Sequence, residues 1–210
     1  MKGPNVPDHR EARAEGPEVT ASSLLERVRA SEQGGWRRLV SLYGPLAYSW
    51  CRQAGLKSHD AADVVQEVFR SVFKHIDDFR RDRPGDSFRG WLRTIARNKV
   101  RDHWRRERVR PGAVGGTEAH VRLSQVPDNE PPDESEIDNS NEANVVLRRA
   151  LELVRSEFEN RTWQAFWLTA VEDRDPGQVG AELGMTANAV YIAKSRVLSR
   201  VRAEFGELID

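Results

Sequence analysis

One cysteine, Cys51, among 210 residues excludes an intramolecular disulfide and any metal site built on a CxxC pair, and it fits a reducing compartment. Nowhere do about eighteen apolar residues follow one another. The opening MKGPNVPDHREARAEGPEVTAS also lacks the apolar run of a signal peptide, so a cytoplasmic chain with no membrane insertion is expected. No segment sustains the alternation of a strand. No HExxH, GxSxG or phosphate-loop glycine pattern occurs, and His59, His75 and His103 are scattered. Asp77-Asp78 fits a helix end better than a carboxylate pair. Neither an enzyme nor a metal or other cofactor is expected, and Cys51 in YSWCRQAG reads as buried and inert.

Net charge is also missing, since 33 Lys and Arg balance 33 Asp and Glu. The zero conceals a division. Residues 22 to 110 carry 20 basic and 11 acidic side chains, an excess of nine positive charges, whereas residues 111 to 144 carry 1 basic and 8 acidic, an excess of seven negative ones. A basic block joined to an acidic one points to a polyanion as the partner of the first.

The apolar periodicity is helical throughout. Residues 1–21 mix Pro, Gly and charge without a period and read as a mobile tail. From Ser22, Leu24, Leu25, Val28, Leu39, Val40, Leu42 and Tyr43 fall at helical spacings, with Gly34-Gly35 and Gly44-Pro45 as punctuation between short helices. SHDAADVVQEVFRSVFKHIDDF opens on a cap at Ser58 and puts Val65, Val68, Phe69, Val72, Phe73 and Ile76 on one face. The turn-rich RRDRPGDS follows. Residues 109–144 are too rich in Gly, Pro, Ser and acids to offset their ordering entropy, and read as a flexible acidic linker. Its 34 residues from 111 to 144 would reach about 110 Å extended but average about 30 Å as a free coil. Helical periodicity resumes near Ala143 and runs to Phe205. The expected fold is all-α: two small helical domains, 22–108 and 145–210, joined by that linker.

Two stretches carry chemistry. In FRGWLRTIARNKVRDHWRR, residues 88 to 106, Phe88, Trp91, Leu92 and Ile95 cluster on a helical wheel as a docking face. Arg89, Arg93, Arg97, Arg101 and Arg105 repeat every fourth residue as a separate stripe. Like charges at that spacing each cost a few tenths of a kcal/mol, roughly, in an isolated helix, and a polyanion would relieve this. Trp104 near the basic side offers a ring to an unpaired base. A merely solvated face with snorkelling arginines is the competing reading. In DPGQVGAELGMTANAVYIAKSRVLSRVRAEF, residues 175 to 205, Asp175 caps a helix with Pro176 at its first position, Leu183-Gly184 ends it, and Thr186 caps the next. That is a helix-turn-helix pattern. Val190, Ala193, Val197 and Val201 face inward, while Asn188, Tyr191, Ser195, Arg196 and Arg200 point elsewhere, with Lys194 at the boundary. A hairpin used only for packing is the alternative. Trp163 and Trp167 read as core.

Through DAADVVQEVF (60 to 69), FRGWLRTIARNKVRDHWRR (88 to 106) and GQVGAELGMTANAVYIAKSRVLSRVR (177 to 202), the chain resembles the extracytoplasmic-function sigma factors of bacterial RNA polymerase. The resemblance implies core RNA polymerase and promoter DNA as partners, and it allows an anti-sigma factor. It implies that Asp63, Gln66 and Glu67 dock on the polymerase clamp. It further implies that the loop and helix from Asp82 onward read the −10 element and melt it. The base pocket is expected at Asp82 to Phe88, including Ser87, together with Asn98, and Arg93, Arg97, Arg101, Arg105 and Trp104 are expected on the separated strand. The helix-turn-helix would read the −35 element as duplex through Thr186, Asn188, Tyr191, Lys194, Ser195, Arg196 and Arg200. Tyr191, Ile192 and Lys194 depart from the usual recognition helix, so no base preference carries over. A polymerase-independent helix-turn-helix regulator is the alternative, and a nucleic-acid-processing helper a more distant one.

Overall fold

The computed structural model describes residues 22–109 and 139–209, and every regular element among them is helical. The expected tail at 1–21 and most of the expected linker lie outside these residues. In the first half come α1 (Leu24–Arg29), α2 (Gln33–Gln53), α3 (Ser58–His75) with a 3-10 turn at Ile76–Asp78, and α4 (Phe88–Val109). The second half holds α5 (Asn139–Val154) with a 3-10 turn at Arg155–Glu157, then α6 (Asn160–Ala170), α7 (Pro176–Leu183) and α8 (Ala187–Phe205).

Local chemistry explains several boundaries, but not the start of α3, where Ser58 is the first helical residue and the N-cap, Lys57, makes no side-chain cap bond. Ser23 and Glu26 form a reciprocal capping box that starts α1. The first turn of α5, Asn139 to Glu142, is all polar, so it reads as linker, and helical periodicity shows only four residues later. Glu142 there sits favourably at the positive end of the helix.

Gly34-Gly35 and Gly44-Pro45 do not divide short helices, because α2 runs through all four. Pro45 removes the N–H that would have bonded to the Ser41 carbonyl, a loss worth about 3 kcal/mol in a helix interior. Two features offset it. Leu39, Leu42, Tyr43, Leu46, Ala47, Trp50 and Cys51 form a buried stripe along the helix, and the freed Ser41 carbonyl accepts a bond from Arg149 Nε of α5 at 2.9 Å.

On α3 and the turn after it the expected Val68, Phe69, Val72 and Ile76 are buried, Ala61 and Val64 join them, and Val65 is half-buried. Phe73 is 55% exposed, at the edge, with its ring 5.0 Å from Trp36. One apolar core runs through both halves, from Leu24 and Leu42 to Val146, Ala150, Val154 and Phe205. A second, small cluster of Ala165, Val179, Val190 and Ala193 holds the helix-turn-helix. Cys51 is buried in the main core as expected, and burial pushes its thiol up to about 11. No helix among the described residues is long and apolar enough to cross a membrane.

Candidate nucleic-acid interface

The anchor of α4 is a stripe at four-residue spacing: Phe88, Leu92, Ala96 and Val100 are all at most 4% exposed. The arginines follow one residue behind each and so lie along the edge of the core. Arg93, Arg97 and Arg101 are half-buried and Arg105 is exposed. Partial burial holds the Arg97 guanidinium below the ordinary arginine range, and Arg101 and Arg93 on either side lower it further. The row therefore carries the mutual repulsion that its spacing implies.

Phe88 is a correction to the expected base pocket. It is wholly buried, with its ring 5.0 Å from Tyr43, 5.4 Å from Phe79 and 5.6 Å from Trp91, and no base can reach it. As the first residue of the buried stripe it is needed to seat the helix. Ser87 accepts a bond from the Gly90 N–H at 3.0 Å and so caps α4. The loop before it is closed by Asp86, whose carboxylate accepts from the Asp82 and Arg83 amides at 3.1 and 2.8 Å. Asp82 and Asn98 are exposed, as a polar pocket requires. Trp104 is half-buried against the core with an edge contact to His103, which leaves only part of its ring for stacking. Its Nε1, like Arg101 Nε, is buried without a hydrogen-bond partner.

Three expected DNA contacts are already occupied by protein. Arg105 is ion-paired with Asp102, one turn back. Arg93 donates to both carboxylate oxygens of Glu142, at 3.1 and 3.2 Å, while its guanidinium lies 5.5 Å over the Trp50 ring. Arg200 is the third. It is bound to Glu157 and Glu204, both at 2.6 Å, so its head faces the junction of the two halves and is withdrawn from the surface that the helix-turn-helix presents.

On α3, Asp63 and Gln66 are exposed, with Asp63 beside His59 at 3.4 Å and Gln66 accepting from Arg70 at 3.4 Å. Glu67 is instead tied to Arg106 of α4 at 3.1 Å, and that bond holds its carboxyl below the usual range.

The helix-turn-helix forms from the predicted caps. Asp175 accepts from the Gln178 amide at 2.9 Å, Pro176 is the first residue of α7, and Thr186 accepts from the Ala189 amide at 3.1 Å. Gly184 turns the chain with φ 62° and ψ 41°, a conformation that glycine adopts without strain. Gly180 matters for space, because a Cβ there would stand 2.7 Å from the Met185 carbonyl oxygen. Asn188, Tyr191, Ser195 and Arg196 are exposed on α8, whereas Lys194 is half-buried and reaches the Thr169 carbonyl at 3.5 Å. Trp163 is buried and Trp167 half-buried, their rings stacked at 6.1 Å.

Sequence reasoning missed Glu142, Arg149 and Glu204. Glu204 is 2% exposed and meets Arg27 at 3.8 Å, Arg38 at 3.1 Å and Arg200 at 2.6 Å. Only Arg200 is near it in sequence.

A half-buried arginine row and a well-capped helix-turn-helix on one chain define a class, the DNA-binding proteins of transcription. The model for sigma-70 region 2 matches residues 39–110. The sigma factor CnrH of Cupriavidus metallidurans is 29% identical over 196 residues, covering 92% of this chain and 96% of that one. SigW of Bacillus subtilis is 28% identical over 112 residues, 52% of this chain and 58% of its own, and the sigma-E factor of Escherichia coli is 33% identical over 86 residues, 41% and 43%. A solved structure of CnrH in complex with the cytosolic domain of CnrY aligns over 86% of this chain and 93% of that one, at 24% identity and a TM-score of 0.34, too loose an overlay to transfer a contact. The chain thus carries a sigma-70 region 2 match and is similar over nearly its whole length to an RNA polymerase sigma factor, and over shorter stretches to extracytoplasmic-function ones, which supports an RNA polymerase-binding sigma factor of transcription initiation.

Proposed function

We propose that the two halves divide promoter recognition between them. Around α4, the first half takes the separated −10 strand, and the second half reads the −35 duplex through α8. The observation that carries this is the arginine row, in which Arg97 is held low by burial and by its cationic neighbours. A phosphate chain laid along the row relieves that repulsion and adds contacts, so single-stranded DNA gains where a neutral surface would not. Arg97 and Arg101 take backbone, Asp82 and Asn98 the extruded base, and Arg93 joins once Glu142 leaves it.

On α8, Asn188, Tyr191 and Ser195 are proposed at base edges with Arg196 on phosphate, and Thr186 acts as the cap that aims them. Asp63 and Gln66 are proposed to meet the polymerase clamp, while Glu67 chiefly ties α3 to α4. The protein works in the cytoplasm with its polymerase and performs no catalysis of its own. CnrH is seen with the cytosolic domain of CnrY, and an anti-sigma factor is proposed here by likeness.

The test is run-off transcription from a genomic library with purified core enzyme. Core plus this subunit should start RNA at promoters that core alone ignores, and Arg97→Glu with Arg101→Glu should abolish open complexes while core binding survives. Loss of core binding in that variant would instead show that α4 is a polymerase contact.

A further inference from the structure

The C-terminal half is fastened to the N-terminal half at three polar points around an apolar seam. The seam is Val146, Ala150, Leu151 and Val154 of α5 in the shared core beside α2. The first point is the carbonyl of Ser41, which has no helical donor because residue 45 is proline, and which Arg149 Nε fills at 2.9 Å. At the second, Glu142 receives the Trp50 indole N–H at 2.7 Å and the Arg93 guanidinium at 3.1 Å. The third joins the far end: Glu204 among its arginines, with Tyr43 donating to the Leu208 carbonyl.

These are specific contacts. A proline in a helix costs stability unless the orphaned carbonyl finds another donor, and here the donor comes from the opposite half of the chain. The Glu142 carboxylate also sets both of its oxygens on one nitrogen of Arg93, Nη1, so an anion already occupies that end of the guanidinium. Arg93 and Glu142 are 24% and 16% exposed, so the pair leaves little of the arginine for another anion.

We propose that the free subunit masks its own strand-binding row: α5 docks on α2 through the Ser41 carbonyl that Pro45 leaves open, and Glu142 occupies Arg93 until DNA displaces it. The ligand that competes is a nucleic-acid phosphate. The proposal rests on α4 being the strand-binding helix, but closure itself can be measured without DNA.

The test uses the full chain with donor and acceptor dyes on cysteines at Lys74 and Glu182, one in each half and both exposed; buried Cys51 is left in place. Binding of a mixed-sequence single-stranded 20-mer is followed by anisotropy. Glu142→Gln with Arg149→Ala leaves the net charge unchanged, and it should lower energy transfer and tighten DNA binding about five- to tenfold, the factor by which closure reduces the competent fraction. Pro45→Ala changes no charge and supplies the Ser41 carbonyl with a helical donor. It should raise the stability of α2 and still loosen closure, with a smaller gain in DNA affinity in the same direction.

Unchanged energy transfer in both variants would overturn the latch, and opening with no gain in DNA affinity would overturn the mask. If the double variant loses helical signal, Pro45→Ala decides alone, because it can only strengthen its helix. Arg97→Glu with Arg101→Glu separates the two ideas: undiminished DNA binding there sinks the strand-binding reading and the mask together, while the dye distance still judges the latch.

Discussion

The two helices proposed to meet DNA are built on opposite plans. α4 carries its cations as a row along the edge of its buried stripe, braced from below by Phe88, Leu92, Ala96 and Val100. α8 exposes Asn188, Tyr191, Ser195 and Arg196 along its first half, with little charge, and owes its aim to the caps and glycines of the turn before it. The first is suited to a flexible polyanion, whose phosphates can adapt to a fixed row. The second suits a rigid duplex, whose base edges must be met at fixed places. Grip on α4 should thus depend on salt, and grip on α8 on shape.

The largest way to break this comparison is to remove the carboxylate that joins the halves. Glu204 is buried against Arg27, Arg38 and Arg200, three guanidinium groups that are themselves 28%, 24% and 29% exposed. Glu204→Ala should cost about 3 kcal/mol, the low end of the range for a broken buried pair because water still reaches the arginines. Calorimetry should then resolve two unfolding transitions where the parent shows one.

Next in size is Gly180→Ala, which sets a methyl group against the Met185 carbonyl oxygen and forces α7 away from α8. About 2 kcal/mol of overpacking is expected. Duplex binding should fall while binding of single strands to α4 stays as it was. An equal loss of both would mean that the two helices do not act separately. Smaller again is the salt test. Arg101→Ala should weaken single-strand binding to any sequence and reduce its salt slope by about 0.7, whereas Tyr191→Ala should change which duplex is preferred and leave the slope alone.

Much of this was legible beforehand, unevenly. The Asp175, Pro176, Gly184 and Thr186 signals work within a few residues, and the turn they build is the one observed. The arginine row likewise follows from spacing alone. What a helical wheel cannot show is which apolar residue goes deepest. The wheel put Phe88 on the docking face while the resemblance put it in the base pocket, and its ring contacts with Tyr43 and Phe79 decide for the core. Glu142 looked like one more linker acid because its partners, Trp50 and Arg93, lie 92 and 49 residues away. Pro45 looked like a break for the same reason: the arginine that repairs it is 108 residues distant from Ser41. Long-range polar pairs leave no period in a sequence, and they are what closes this molecule.

The smallest effect concerns the boundary between polymerase contact and DNA contact. Glu67 belongs to the helix given to the clamp, yet its partner is Arg106 of the basic helix, and the Arg106 hydrogen bond is the main reason that its carboxyl sits low, with Lys99 and Arg70 adding to it. A carboxyl held low in the folded chain stabilises it above the ordinary glutamate value of about 4.3, and that contribution disappears as pH falls through the folded value. Arg106 is 57% exposed, so the pair should contribute less than about 1 kcal/mol. Glu67→Gln should therefore be slightly less stable than the parent at pH 7 and equal to it once the pH has fallen below the lowered folded value, as read by denaturant midpoints. Were Glu67 a polymerase contact first and a brace second, the variant would lose core affinity at pH 7 by far more than so small a change in stability can account for, and the division between α3 and α4 would have to be redrawn.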